Sequence, residues 1–126
     1  MKIIVEERLV QKAAERGEQL LAGLKTLEHY PSIGDIRGRG LMLGVELVKD
    51  KKTKEPFSLG FHAHQKINQI ALEEGLIIYP SSGTVDGTNG DHFLIVPPLT
   101  ITEAEVEILI TLLDRVFERF ESLPRD

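Results

Sequence analysis

The order of the predicted secondary-structure elements constrains the fold of this chain more than any other feature. Apolar residues recur at helical spacing in three segments, which are residues 5–28, 58–74 and the stretch that begins at 102. Four shorter segments are predicted as strands, which are 33–37, 41–48, 76–79 and 92–96. Because two strands follow each other between successive helices, the pattern favours an α+β fold, a small mostly antiparallel sheet covered by helices.

Four residues are predicted to fix local geometry. Thr102 and Glu105 have the T-x-x-E spacing of a capping box at the start of the last helix. Gly75 follows the second helix, where a left-handed residue commonly ends a helix. Gly17 lies inside the first helix, and its missing side chain indicates a close approach to a neighbouring backbone.

Composition narrows the class of protein. The 126 residues predict a single domain spanning residues 1–126. Fifteen Lys and Arg against twenty Asp and Glu give a net charge of −5, which argues against nucleic acid as the main partner.

The absence of cysteine excludes disulfides, thiolate zinc sites and a thiol nucleophile. No apolar run reaches the length of a membrane span and no secretory signal is recognised, so we expect a soluble, cytoplasmic protein without a membrane partner.

The four histidines do not predict a metal site. His62 and His64 are two residues apart on a predicted helix, so their side chains point in different directions. His29 and His92 lie at the ends of elements. Surface or capping roles are therefore expected for all four, and zinc would require more ligands at better spacing.

The glycines and arginines near residue 38 do not form a dinucleotide-binding motif. Gly38 and Gly40 are followed by Leu43 where the fingerprint requires a third glycine, and no helix begins there. We expect the glycines to shape a bend. Arg37 could bind a carboxylate, although a surface ion pair is the more ordinary role for an arginine at a bend.

Residues 81–91 form a polar, glycine-rich segment that is predicted to be a long loop or a wide hairpin. Ser81 and Ser82 have no base nearby in the sequence and no nucleophile-elbow pattern. Asp86 and Asp91 lack the spacing of a calcium loop. Considered alone, the residues therefore indicate no self-contained active site.

Three segments, in the same order, resemble class III pyridoxal-phosphate aminotransferases of the omega-amino-acid and ornithine type. They are residues 34–47 (GDIRGRGLMLGVEL), 72–80 (LEEGLIIYP) and 90–106 (GDHFLIVPPLTITEAEV). The resemblance covers nearly the whole chain, but only the C-terminal small domain of that family. It implies that the large domain, which binds pyridoxal phosphate, is absent from these 126 residues.

The resemblance implies a fold-type-I enzyme that transfers an amino group from an amine or omega-amino acid to an oxo-acid. Pyridoxal phosphate would be the cofactor of the full-length enzyme, which is usually a homodimer. In this family the Schiff-base lysine and most cofactor contacts belong to the large domain. No catalytic residue is therefore assigned here, and the isolated chain is expected to be inactive.

The resemblance also suggests which residues would face the substrate. Those at the substrate entrance would be Ser81, Ser82, Gly83, Gly87, Asp91, His92 and Leu94. Some relatives place a carboxylate-binding arginine shortly before the Pro-Pro pair, where this chain has Leu94, and no arginine occurs in residues 81–91. The donor would thus be an amine or omega-amino acid, or the absent domain would hold its carboxylate. Arg37 is a further candidate for a carboxylate contact, although in the family that arginine is more a structural feature of the strand bend.

A second hypothesis is a non-catalytic binding or dimerisation module from a truncated reading frame. The two hypotheses predict different surfaces. A domain separated from its larger partner should expose an apolar patch, either on the first helix or beside residues 76–79. A purpose-built module should have polar flanks or a symmetric partner there.

Overall fold

The computed structural model describes residues 2–82 and 90–124, with backbone alone for residues 2–7, Leu9 and Arg39. The elements in chain order are α1 (Lys2–Lys25), β1 (Ile33–Arg39), β2 (Met42–Leu47), a 3-10 turn (Leu59–Phe61), α2 (Ala63–Glu73), β3 (Tyr79–Ser82), β4 (Asp91–Ile95) and α3 (Glu103–Glu121). The strands form one antiparallel sheet in the order β1-β2-β4-β3. The predicted α+β class and antiparallel sheet are confirmed.

One face of the sheet carries the core. Leu43, Val45 and Leu47 of β2 are buried, as their alternation predicts, and Phe93 of β4 lies beside them. The ring of Phe93 packs 5.9 Å from that of Phe117 in α3, measured between centroids. Burying a side chain of this size stabilises a fold by roughly 1.5–3 kcal/mol, so these contacts fix the helices to this face.

Tyr30 joins the end of the first helical segment to α3. Its hydroxyl donates a hydrogen bond of 2.6 Å to Oδ1 of Asp114, and its ring stacks 5.7 Å from Phe117. Burial and this hydrogen bond raise the pKa of Tyr30 to about 12, because both disfavour the phenolate.

The local predictions from caps and glycines are confirmed. Thr102 Oγ1 accepts from the Glu105 backbone at 3.2 Å, and Glu105 Oε1 accepts from the Thr102 backbone at 3.0 Å. Gly75 has a φ of 85° just beyond α2. A Cβ on Gly17 would collide with the backbone carbonyl of Gly40, so helix α1 can approach the β1–β2 turn only with glycine at that position.

Three predicted boundaries are wrong. Helix α1 ends at Lys25, and turns follow it. Helix α2 does not begin at residue 58, because His62 adopts a left-handed φ of 55° between the 3-10 turn and Ala63. The strand predicted at 76–79 begins only at Tyr79 and continues to Ser82. The apolar run at 76–79 reflects the burial of Leu76 and Ile78 and does not mark backbone pairing.

Within the described residues, no helix combines the length and the apolar character needed to cross a membrane.

Candidate functional site

The sheet face opposite the core carries two rows of residues that run across all four strands. The first row is Arg37, Gly44, Leu94 and Tyr79, and the second is Asp35, Glu46, His92 and Ser81. We call these eight residues the open face. Because side chains alternate along a strand, the burial of Leu43, Val45 and Phe93 on the core side places these rows on the other side.

A cavity of about 350 Å³ lies on the open face. Its lining residues are Asp35, Arg37, Gly44, Val45, Glu46 and His92. Gly44 contributes to this space because it has no side chain, and a Cβ built there would lie 3.4 Å from Leu94 Cδ2. The β1–β2–β4 register therefore gathers two carboxylates, one guanidinium and one imidazole around a concave surface.

Arg37 forms the ion pair that sequence analysis expects of it. Its Nε donates to Asp35 Oδ2 at 2.5 Å, while 87% of the Arg37 side chain and 40% of the Asp35 side chain remain exposed. An exposed pair of this kind contributes about 0–1 kcal/mol. A carboxylate ligand could therefore replace Asp35 as the partner of Arg37 at small cost.

His92 contributes a polar atom whose hydrogen-bonding capacity is not used. The residue is half-buried opposite Glu46, and its Nδ1 atom is buried with no hydrogen-bond partner within the described residues. Leaving such an atom unpaired costs free energy, and the cost is removed when a partner arrives.

Asp91 does not belong to the substrate-side loop in which the sequence placed it. It is the first residue of β4, is 6% exposed and lies on the core side of the sheet. Its Oδ1 accepts hydrogen bonds from the backbone nitrogen of His64 at 3.0 Å and from His64 Nδ1 at 2.6 Å. Asp91 thus holds the first turn of α2 against β4.

The remaining predicted loop residues are divided between strand and connection. Ser81 and Ser82 are exposed at the end of β3, and they pair antiparallel with His92 and Asp91 of β4, so the two strands form a hairpin. Gly83 and Gly87 lie outside the described residues. His92 and Leu94 lie on the open face, whereas Asp91 does not.

The pairing of His64 with Asp91 is the interaction that sequence reasoning missed. The two residues are 27 positions apart, and His62 is not on α2 as expected, so helical spacing carries no information about them. The described part of the chain holds no group of three or more His, Asp or Glu side chains arranged for a metal ion.

Within the described residues, no lysine lies in an enclosed site of the kind in which a Schiff-base lysine holds pyridoxal phosphate, since every lysine whose side chain is described is exposed. None of these lysines lines the cavity on the open face.

The architecture defines an α+β domain with helices on one sheet face and a polar concavity on the other. Residues 1–117 match the family of class-III aminotransferases. The chain belongs to this family.

Similar proteins agree with this assignment. The chain is 44% identical over 118 residues to the adenosylmethionine-8-amino-7-oxononanoate aminotransferase of Methanocaldococcus jannaschii. The aligned region covers 94% of this chain and 23% of that relative. The chain is 36% identical over 123 residues to the taurine–pyruvate aminotransferase of Rhodobacter capsulatus, covering 94% and 26%.

Solved structures share the fold. An (S)-enantioselective omega-transaminase from Thermomicrobium roseum superposes with a TM-score of 0.79 at 36% identity, covering 94% of this chain and 25% of that one. A transaminase from the marine bacterium Virgibacillus superposes with a TM-score of 0.81 at 32% identity, covering 95% and 26%. The chain thus spans about a quarter of the length of the proteins it matches.

Proposed function

We propose that this chain is the substrate-side C-terminal domain of a pyridoxal-phosphate-dependent class III aminotransferase. The whole enzyme would transfer an amino group from an amine or omega-amino acid to an oxo-acid. The observation that carries the proposal is the family match over residues 1–117, together with a span of about a quarter of each relative. The cofactor, when bound, supplies the chemistry of amino-group transfer, and residues outside this chain would hold it.

The open face is the surface of this chain that would meet the substrate. Asp35 and Glu46 can accept hydrogen bonds from an amine, while Arg37 can donate to a carboxylate. The β3–β4 hairpin, with Ser81 and Ser82 at its base, would help to exclude water from the site. Leu94 offers no charge to an α-carboxylate, which supports an amine or omega-amino acid, rather than an α-amino acid, as donor.

The same proposal takes the full enzyme to be a cytoplasmic homodimer that binds neither nucleic acid nor membrane. The family resemblance supports the dimer, and the net charge of −5 argues against a nucleic-acid partner. The competing hypothesis, a non-catalytic binding or dimerisation module, would gain support if the native polypeptide bound no pyridoxal phosphate.

Arg37 gives a direct test of the substrate-side assignment. In the polypeptide that carries this sequence in its source organism, Arg37→Gln should raise KM for omega-amino-acid donors about 10-fold, because it removes a charge-assisted hydrogen bond. KM for amines without a carboxylate should stay within about twofold. Arg115→Gln is the matched control, since Arg115 is an exposed arginine on α3. Equal changes in KM for both donor classes would show that Arg37 does not contact the carboxylate.

A further inference from the structure

A second concave surface lies along the outer side of β3, between that strand and α3. It has a volume of about 470 Å³, and its walls include Ile77, Tyr79, Val96, Ile108 and Leu112, of which Tyr79 also lies at the edge of the open face. We call these five residues the β3 groove. Four of them are strongly exposed for apolar side chains, with 69% for Ile77, 58% for Ile108, 55% for Tyr79 and 46% for Val96.

The β3 groove is a cluster of large exposed apolar side chains, not a single isolated one. Scattered apolar residues are normal on a protein surface, whereas contiguous ones mark a contact surface. This cluster is the apolar patch expected beside residues 76–79 for a domain separated from a larger partner.

The chemistry of the walls restricts the occupant. The one charged residue in the lining is Glu105, and its Oε1 already accepts a hydrogen bond from Thr102 in the capping box. The groove therefore presents its occupant with one carboxylate, already engaged in the capping box, among otherwise uncharged lining residues. An apolar segment fits these walls, and a charged small molecule does not.

Geometry disfavours a second copy of this chain as the occupant. A two-fold dimer sets the same surface of each copy against itself. Two concave grooves of about 470 Å³ facing each other would leave unfilled space at the centre of the contact. A segment that protrudes from a different surface is required.

We propose that the β3 groove is the docking surface for an apolar segment of the aminotransferase polypeptide outside the matched quarter. This inference rests on the proposed function. It is supported by how little of its relatives the chain spans, which is 23% of one and 26% of the other. About three quarters of a family member is therefore left to cover the groove. The groove would then be one of the surfaces that hold the substrate-side domain against the rest of the enzyme.

Photo-crosslinking in the native polypeptide tests the proposal. Benzoylphenylalanine is introduced in place of Ile77 in the polypeptide as the source organism makes it, and after irradiation the linked peptides are identified by mass spectrometry. Leu59, which is 55% exposed on the 3-10 turn away from the groove, is the matched control position. The expected result is a link within one polypeptide from position 77 to a peptide outside these 126 residues, at a yield at least fivefold above that from position 59.

Two results would overturn the docking proposal: a link from position 77 to these same 126 residues in another copy, or a yield no higher than that from position 59. Pyridoxal phosphate is also released from the same preparation and quantified. This second measurement distinguishes failure of the docking proposal from failure of the proposed function. Bound cofactor without the expected link rejects the groove alone. The expected link without cofactor rejects the enzymatic function alone.

Discussion

Asp91 links β4 to α2 through one buried carboxylate, and its substitution should be costly. Asp91→Ala leaves the backbone and ring donors of His64 without their acceptor, which should lower the free energy of unfolding by about 1–3 kcal/mol. Asp35→Ala is the control, because that carboxylate is 40% exposed and its loss should change stability by no more than about 0.5 kcal/mol. Urea denaturation measures both values. Equal losses would mean that the Asp91–His64 contact contributes nothing specific.

Tyr30 should make the free energy of unfolding fall in alkaline solution. Its pKa is raised to about 12 in the folded chain, above the usual value of 10, so the folded state holds the phenol proton more tightly than the unfolded state. The stabilisation is therefore complete below pH 10 and is lost as pH rises from 10 to 12. The difference in unfolding free energy between wild type and Tyr30→Phe should shrink over that range.

The test for Tyr30 is denaturant unfolding of both proteins at pH 8 and at pH 11. Taking the difference between wild type and variant cancels the titration of lysines, which both proteins share. A difference that stays constant or grows at pH 11 would show that burial and the Asp114 hydrogen bond do not raise the pKa of Tyr30.

Helix α1 owes its close approach to the β1–β2 turn to one glycine. At an exposed position inside a helix, replacing Gly with Ala stabilises the helix by about 1 kcal/mol. Gly17→Ala should instead destabilise, because the new Cβ would meet the rigid carbonyl of Gly40. Gly23→Ala in the same helix is the control, since its Cβ would meet only the Ile110 side chain, which can move. Thermal unfolding measures the stability of both variants. If Gly17→Ala loses no more stability than Gly23→Ala does, the packing described here is contradicted.

Helix α3 depends on its capping box. Thr102→Ala should lower the free energy of unfolding by about 1 kcal/mol, because the Glu105 backbone N–H loses its acceptor. Thr100→Ala, two residues earlier and also exposed, should have little effect. Chemical denaturation of both variants distinguishes a specific cap from a general loss of threonine.

The predictable parts of this fold are those with local causes. The capping box, the left-handed Gly75 and the alternation in β2 each depend on residues a few positions apart, so the sequence contains the whole signal. The His64–Asp91 pair could not be predicted in this way, because it joins residues 27 positions apart. The left-handed His62 and the late start of β3 also escaped prediction, since no local pattern in the sequence marks either feature. Arg37 was correctly expected to form an ion pair, but its position in a cavity with His92 depends on strand register.

As a whole molecule, the domain has two surfaces that differ in chemistry. The open face collects charged and polar groups around a cavity, and the β3 groove exposes apolar ones. A polar surface beside an apolar docking edge suits a domain that forms one wall of a substrate site in a larger enzyme.

The central claim is that these residues serve a pyridoxal-phosphate enzyme whose Schiff-base lysine lies outside them. Borohydride reduction of the native polypeptide, followed by intact-mass and peptide mass spectrometry, tests this most directly. The account predicts a polypeptide several-fold heavier than 14.1 kDa with one pyridoxyl group on a lysine outside these 126 residues. A pyridoxyl group on a lysine within them, or a 14.1 kDa polypeptide with no adduct, would contradict it.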